Sequence, residues 1–133
     1  MPEQKNVLVV ENDALNLKLV NDLLRYHGYA ILSTGSGKEA LDLAGQRRPD
    51  LILLEIHLPD VSGIEVIRQL KADAHTKAIP IVAVTAFAMP EDRTNILANG
   101  ADDYVSKPFR VVELLEIVHR YTTPNRNRVR SSR

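Results

Sequence analysis

Residues that could carry chemistry follow four of five apolar runs in the sequence. Glu11-Asn12-Asp13 comes directly after the first run and Glu55-Ile56-His57 comes after the third, so both supply carboxylates. Thr85 ends the fourth run and contributes a hydroxyl, and Lys107 follows the fifth and contributes an ammonium. A carboxylate can bind a cation or cap a helix, and the position of Asp13 favours a cap. The joint arrangement indicates one polar site assembled from separate segments.

The apolar runs have the length of β-strands that are covered on both faces. Three are continuous and two are weaker; in chain order the five are Val7–Val10, Ala30–Thr34, Leu51–Leu54, Ile81–Val84 and Asp103–Val105. Short continuous apolar runs are typical of strands in a parallel sheet. We therefore predict five strands.

Apolar residues at helical spacing lie between and after these strands. One stripe predicts the buried face of the first helix; its members are Leu15, Leu19, Val20, Leu23 and Leu24. Another stripe predicts the buried face of the last helix; its members are Val111, Leu114, Leu115 and Val118. A helix is thus expected after every strand.

Cap and stop residues mark the ends of these helices. Gly28 and Gly100 predict where the first and fourth helices stop, and Pro90 suits the first turn of the fourth. Ser36-Gly-Lys-Glu39 and Ser62-Gly-Ile-Glu65 each match a capping box, in which serine and glutamate bond each other's backbone amides. These two motifs are expected to open the second and third helices.

Alternation of five strands and five helices predicts an α/β fold of the (βα)5 type. Right-handed crossovers place helices on both faces of a parallel sheet. Such a sheet has its working site at the carboxyl ends of the strands. The carboxylates, hydroxyl and ammonium noted above fall at that edge.

Composition excludes several classes of protein. The 133 residues include no cysteine, so disulfides and thiolate metal sites are excluded. The chain lacks an apolar run long enough to span a membrane and lacks a secretory signal, so we expect a cytoplasmic protein. Residues 123–133 contain four arginines and no acid, and they are predicted to form a disordered basic tail. The mildly acidic remainder is a poor candidate for nucleic-acid binding.

Four segments resemble the signature motifs of response-regulator receivers, the domains that accept a phosphoryl group in two-component signalling. They are Val7–Asp13, Leu51–Gly63, Val82–Ala86 and Asp103–Pro108. The resemblance covers about residues 6–121, and Thr85–Met89 is similar to small single-domain receivers of the DivK type. It implies a CheY-like, flavodoxin-like doubly wound sheet with strand order 2-1-3-4-5 in a receiver domain of residues 1–122. It also suggests a cis peptide bond between Lys107 and Pro108.

The resemblance also implies roles in phosphoryl binding. In this family the third strand ends in an aspartate that accepts the phosphoryl group from a kinase histidine, and a hydroxyl and a lysine bind the phosphoryl oxygens. By motif, Glu55 stands at the phosphoacceptor position, Thr85 supplies the hydroxyl and Lys107 supplies the ammonium. Tyr104 occupies the position of a switching aromatic residue. Together these residues match the electrostatic needs of phosphoryl transfer.

The metal positions of the family correspond to Glu11, Asn12, Glu55 and the backbone carbonyl of His57. Receivers hold Mg²⁺ there with two acids after the first strand, whereas this chain has an amide at the second of them. An amide oxygen supplies no charge, and Mg²⁺ sites depend on carboxylates. We expect Mg²⁺ binding to be weak or absent.

Glu55 stands where the family has aspartate, and three interpretations stay open. Its longer carboxylate could reach Lys107 and Thr85 as a phosphoryl oxygen would and hold an activated-like state. It could instead leave an inert pseudo-receiver that works by binding alone. It could also be an engineered substitution in a normal receiver. A misplacement near 1 Å costs on the order of 100-fold in rate, so phosphorylation on Glu55 is expected to be poor.

These features predict a non-enzymatic signalling module that binds proteins. The partners implied by the resemblance are a sensor histidine kinase or phosphotransfer protein and a downstream signalling protein. They are expected to bind through the fourth helix, fifth strand and fifth helix. A conventional phosphorylated, Mg²⁺-dependent receiver is the alternative. A small enzyme or nucleotide binder on the same fold is disfavoured, because the strand–helix turns lack a glycine-rich phosphate loop. We expect no membrane and no small-molecule substrate.

Overall fold

Five parallel strands form one sheet in the order β2-β1-β3-β4-β5. The structure is a computed structural model that describes residues 4–86 and 89–123. The strands are β1 (Asn6–Val10), β2 (Ala30–Thr34), β3 (Leu51–Glu55), β4 (Ile81–Thr85) and β5 (Asp103–Ser106). All five predicted strands and their expected order are confirmed. The predicted basic tail lies outside the described residues except for Thr123, so its disorder stays a prediction.

Five helices follow the five strands. They are α1 (Ala14–Tyr26), α2 (Gly37–Arg47), α3 (Gly63–Ala72), α4 (Pro90–Ala98) and α5 (Val111–Thr122). Alternate residues of a strand point to opposite faces, so each central strand contributes to two hydrophobic cores. One core joins the sheet to α2, α3 and α4, and the other joins it to α1 and α5. Within residues 4–86 and 89–123, no helix combines the length and the hydropathy needed to cross a bilayer.

The buried face of α1 differs from the predicted stripe. Val20 and Leu24 are buried, and Leu23 packs partly against their core. Leu15 and Leu19 are instead 80% and 52% exposed. Only one side of a helix can face a sheet, and α1 turns the Val20–Leu24 side inward. The prediction was wrong for Leu15 and Leu19.

The buried face of α5 is also rotated from the prediction. Leu114 and Val118 are buried as expected, and Leu115 is partly buried. Ile117, which the prediction left out, is buried between them, whereas Val111 is 46% exposed. Val111 begins the helix and lies beyond the part that packs on the sheet.

The predicted helix ends are largely confirmed. Gly28 and Gly100 follow α1 and α4 with positive φ angles of 93° and 118°, and Pro90 is the first residue of α4. Ser36 and Ser62 cap α2 and α3 by accepting backbone N–H groups. The reciprocal half of the first capping box does not form, because the carboxylate of Glu39 accepts the hydroxyl of Thr34 instead. In the second motif the serine bonds the amide of Ile64 rather than that of Glu65.

Candidate functional site

The carboxyl ends of the central strands bring Glu11, Glu55, Thr85 and Lys107 to one edge of the sheet. Glu11 follows β1, Glu55 ends β3, and Thr85 ends β4. The backbone amide of Lys107 donates to the carbonyl of Thr85 at 2.8 Å, which fixes the turn after β5 beside β4. The Lys107–Pro108 peptide bond is cis, as predicted. The four chemical groups named from the sequence therefore lie along three adjacent strand ends and one neighbouring turn.

The ammonium of Lys107 lies between two carboxylates. Its Nζ is 2.7 Å from Oε1 of Glu11 and also donates to Oε1 of Glu55. The three side chains are mostly buried, with 18%, 8% and 7% of their surfaces exposed respectively. Burial alone would lower the pKa of Lys107, but the hydrogen bonds and charges of the two glutamates outweigh it and hold that pKa above its usual value.

Backbone amides bind the other oxygen of each carboxylate. The amide of Asp13 donates to Oε2 of Glu11 at 3.0 Å, and the amide of His57 donates to Oε2 of Glu55 at 3.0 Å. Each glutamate is thus held at both oxygens, by Lys107 on one side and by a local turn on the other. Glu11, Glu55 and Lys107 form a trio of one ammonium and two carboxylates, whose formal net charge is one negative charge.

Asn12 and Asp13, which follow Glu11, both have exposed side chains. Asp13 is the N-cap of α1, since its Oδ1 accepts the amides of Leu15 and Asn16 at 3.0 and 3.4 Å. The cap interpretation of Asp13 is therefore confirmed. The side chain of His57 is exposed as well, and its backbone amide contacts Glu55.

A cleft opens beside the trio, between the β3–α3 loop and α4. Its lining includes Ile56, His57 and Thr85 from the strand ends and Asp92 and Asn95 from α4. Thr85 itself is fully buried, so it forms part of the floor of this cleft.

Tyr104 lies at the side of the site where β5 meets α4. The guanidinium of Arg93 donates a hydrogen bond to the Tyr104 hydroxyl. The Arg93 Cζ also lies 5.3 Å from the centre of the Tyr104 ring, within cation–π range. The sequence singled out Tyr104 but not Arg93, because an exposed arginine on a helix carries no signal of its partner.

Asp60 was also missed by reasoning from the sequence, which assigned it no role. It lies in the loop after β3, and its carboxylate accepts hydrogen bonds from Ser36, Gly37 and Lys38 at the start of α2. The only signal in the sequence was an aspartate near a turn, which is common in loops of every kind.

A model of the response regulator receiver domain matches residues 7–119 of this chain. The chain belongs to the response regulator receiver family. Receivers are signalling domains of two-component systems.

The receiver is similar to the polar-differentiation response regulators DivK of Brucella. It is 48% identical to the Brucella anthropi protein over 117 residues, which cover 88% of this chain and 95% of that protein. The identity and both coverages are the same for the Brucella ovis protein. The DivK likeness noted in the sequence is confirmed.

Solved receivers share the fold. The receiver domain of the sensor histidine kinase PA1611 from Pseudomonas aeruginosa PAO1 superposes with a TM-score of 0.85 at 33% identity, covering 92% of this chain and all of that one. That domain holds a magnesium ion in its active-site cleft. The chemotaxis response regulator CheY4 of Vibrio cholerae gives a TM-score of 0.85 at 28% identity, covering 90% of this chain and 99% of that one.

Proposed function

We propose that this receiver signals by binding proteins, with the carboxylate of Glu55 in place of a phosphoryl group as the anion held by Lys107. The contact between Glu55 and Lys107 carries the proposal. In phosphoryl transfer an ammonium neutralises the charge of the moving group. In this chain an internal carboxylate already fills that electrostatic role. The proposal includes no enzymatic turnover, no nucleic acid, no membrane and no small-molecule substrate, and it places the protein in the cytoplasm.

Glu55 is a poor phosphoacceptor under this proposal. Both of its oxygens are engaged, one by Lys107 and the other by the amide of His57. A nucleophilic oxygen must instead face the phosphorus atom in line with the leaving group. Turning the carboxylate toward an incoming phosphoryl group would break at least one of these bonds in a mostly buried site.

The residues at the metal positions fit Mg²⁺ poorly. Glu11 shares its oxygens with Lys107 and with the amide of Asp13, and Asn12 is neutral and exposed. Across residues 4–86 and 89–123, no three carboxylate, histidine or cysteine side chains come together as a metal site. Mg²⁺ prefers near-ideal octahedral geometry with carboxylate ligands. We therefore propose that the metal binds weakly or not at all.

Partners are proposed to bind the surface formed by α4, β5 and α5. The link between Arg93 and Tyr104 supports this choice, because it couples α4 to β5 directly beside the cleft that contains Thr85. The implied partners are a sensor histidine kinase or phosphotransfer protein and a downstream signalling protein. Because the DivK relatives are named for polar differentiation, control of cell polarity is the first output to test.

A conventional phosphorylated, Mg²⁺-dependent receiver is the second candidate. It is favoured by the presence of Thr85 and Lys107 at the strand ends, where they could bind phosphoryl oxygens. In that case Glu55 would be an engineered residue or would itself accept the phosphoryl group.

Intact mass after incubation with acetyl phosphate and Mg²⁺ separates the two candidates. The parent protein is expected to gain no phosphoryl group, Glu55→Asp to react partially, and the Asn12→Asp, Glu55→Asp double variant to react most. In the double variant the shortened carboxylate attacks phosphorus and acetate leaves. Mg²⁺ titration should show tighter binding by the double variant than by the parent. The matched control adds Lys107→Met to the double variant and should abolish the gain.

Two outcomes would contradict this assignment. Efficient phosphorylation of the parent on Glu55 would support the conventional receiver and reject the pseudo-receiver. A double variant that folds but stays unmodified would reject the assignment of Glu55 and Asn12 to the family positions.

A further inference from the structure

Asp60 joins the β3–α3 loop to the start of α2. Its Oδ2 accepts the Ser36 hydroxyl at 2.8 Å and the Lys38 amide at 3.1 Å, and its Oδ1 accepts the Gly37 amide at 2.9 Å. The amides of Gly37 and Lys38, followed by the hydroxyl of Ser36, hold the pKa of Asp60 well below its usual range. The carboxylate is therefore ionised at neutral pH.

The loop that Asp60 anchors is the one that leaves Glu55. At its start, the amide of His57 donates to Oε2 of Glu55 at 3.0 Å. At its end, the amide of Gly63 donates to the carbonyl of Ile56 at 2.7 Å. Both of these bonds lie within the segment from β3 to α3. Asp60 lies between them and ties the middle of the loop to a different part of the fold.

The turn before α2 packs against the segment that carries the other glutamate. The amide of Glu11 donates to the carbonyl of Thr34 at 2.9 Å, and the amide of Ser36 donates to the Thr34 hydroxyl at 3.1 Å. A β-carbon built on Gly35 would lie 3.3 Å from the Cα of Asn12. Residues 34–36 are thus in contact with the backbone of Glu11 and Asn12 on one side and bound to Asp60 on the other.

We propose that Asp60 is a positioning residue for the site, which keeps Glu11 and Glu55 at the right separation to share the ammonium of Lys107. Glu11 directly follows β1 and Glu55 is the last residue of β3, so the sheet positions the backbones of both residues but not the loops that follow them. Through the turn at residues 34–36, Asp60 links the loop after Glu55 to the backbone of Glu11 and Asn12, so these two backbones are also held relative to each other outside the sheet.

Amide proton exchange measured by NMR tests this inference in the full chain. Asp60→Ala should speed exchange at Gly37 and Lys38 by at least about tenfold and at His57 by several-fold. Asp60→Asn keeps one acceptor oxygen and should give smaller increases at the same amides, and it serves as the second variant if Asp60→Ala does not fold. Faster exchange at Gly37 and Lys38 alone would make Asp60 a simple helix cap and overturn the proposal.

Two matched variants separate positioning from general loosening. Ser36→Ala removes the N-cap of α2 but leaves the Gly37 and Lys38 bonds to Asp60, so exchange at His57 should not change. Asp73→Ala removes another exposed loop aspartate, whose Oδ1 accepts the local amide of His75 at 2.8 Å, and should also leave exchange at His57 unchanged. If either control matched Asp60→Ala at His57, the effect would be non-specific and the inference wrong.

The rate of phosphorylation provides a second test, and only this test rests on the proposed function. Asp60→Ala added to the Asn12→Asp, Glu55→Asp double variant should slow phosphorylation by acetyl phosphate by about tenfold, and Asp60→Asn should restore part of the rate. An unchanged rate would overturn the positioning role. If the double variant itself never reacts, the proposed function fails, and the exchange experiment still decides the role of Asp60.

Discussion

Oε1 of Glu11 and Nζ of Lys107 lie 2.7 Å apart, although 96 residues separate them along the chain. Both side chains are mostly buried, and Lys107 also pairs with Glu55. Removing one member of a buried ionic group leaves an uncompensated charge in a poorly solvated place. Lys107 is therefore expected to contribute to the stability of the fold, since its loss would leave two mostly buried carboxylates without a counter-ion.

Replacement of Lys107 measures that contribution. Lys107→Met is expected to lower the free energy of unfolding by about 2–3 kcal/mol, because two buried carboxylates lose their counter-ion. The matched control is Lys18→Met, which breaks an exposed pair with Asp22 one turn along α1 and should cost no more than about 0.5 kcal/mol. Urea unfolding of the two variants gives the comparison. Equal losses would mean that burial does not strengthen the site.

Gly63 is expected to tolerate no side chain. A β-carbon there would lie 2.6 Å from the carbonyl oxygen of Glu55 and 2.6 Å from the Cα of Ile56, both backbone atoms that cannot turn away. Gly63→Ala should therefore cost about 2–4 kcal/mol and disturb the loop that leaves the site. Gly45→Ala is the control, since the same atom at Gly45 meets nothing within 4 Å and should stabilise α2 by about 0.5–1 kcal/mol. Thermal or urea unfolding should show a loss of stability for Gly63→Ala and a gain for Gly45→Ala.

The hydroxyl of Tyr121 is expected to lose its proton only at high pH. Burial, followed by the hydrogen bond to Asp103 at 3.0 Å, raises its pKa to about 12. The folded protein keeps this proton longer than the unfolded chain, so stability should fall as the pH rises from about 10 to about 12. Ultraviolet absorbance should resolve this late ionisation, and Tyr121→Phe should remove it and weaken the loss of stability. Tyr26→Phe is the control, since Tyr26 is largely exposed, and should leave the late ionisation in place.

Leu15 and Leu19 are expected to contribute little to folding. Both are exposed on α1, so Leu15→Ala and Leu19→Ala should each change the free energy of unfolding by less than about 0.5 kcal/mol. Leu24→Ala removes the same atoms from the core and should cost about 2–5 kcal/mol. Urea unfolding of the three variants tests the orientation of α1. A large loss of stability for Leu15→Ala would mean that the apolar stripe predicted from the sequence is buried after all.

The strands and the order of elements could be predicted because they depend on local signals. A strand made of a continuous apolar run such as Leu51–Leu54 is stable only when both of its faces are buried. Pro90 and Gly100 affect the conformation of the backbone next to them, so they mark where α4 begins and ends. The chemical site was predictable for a related reason. The carboxyl ends of parallel strands meet at one edge, so Glu11, Glu55 and Thr85 had to lie near one another.

Choices between adjacent residues depended on packing in three dimensions. Leu19 and Val20 are neighbours with similar side chains, and the orientation of α1 on the sheet leaves the first exposed and buries the second. Likewise, the carboxylate of Glu39 accepts the hydroxyl of Thr34 at the end of β2, while the backbone amide of Ser36 donates to that same hydroxyl.

Contacts between residues that lie far apart in the sequence also depend on packing in three dimensions. Apolar periodicity and turn residues predicted the fold, and the polar residues at the strand ends predicted the site. The partners of Lys107, Asp60 and Arg93 required the tertiary structure, because a hydrogen bond acts over about 3 Å and depends on where each side chain ends. Chain folding alone brings Asp60 to the start of α2 and the ammonium of Lys107 between two carboxylates.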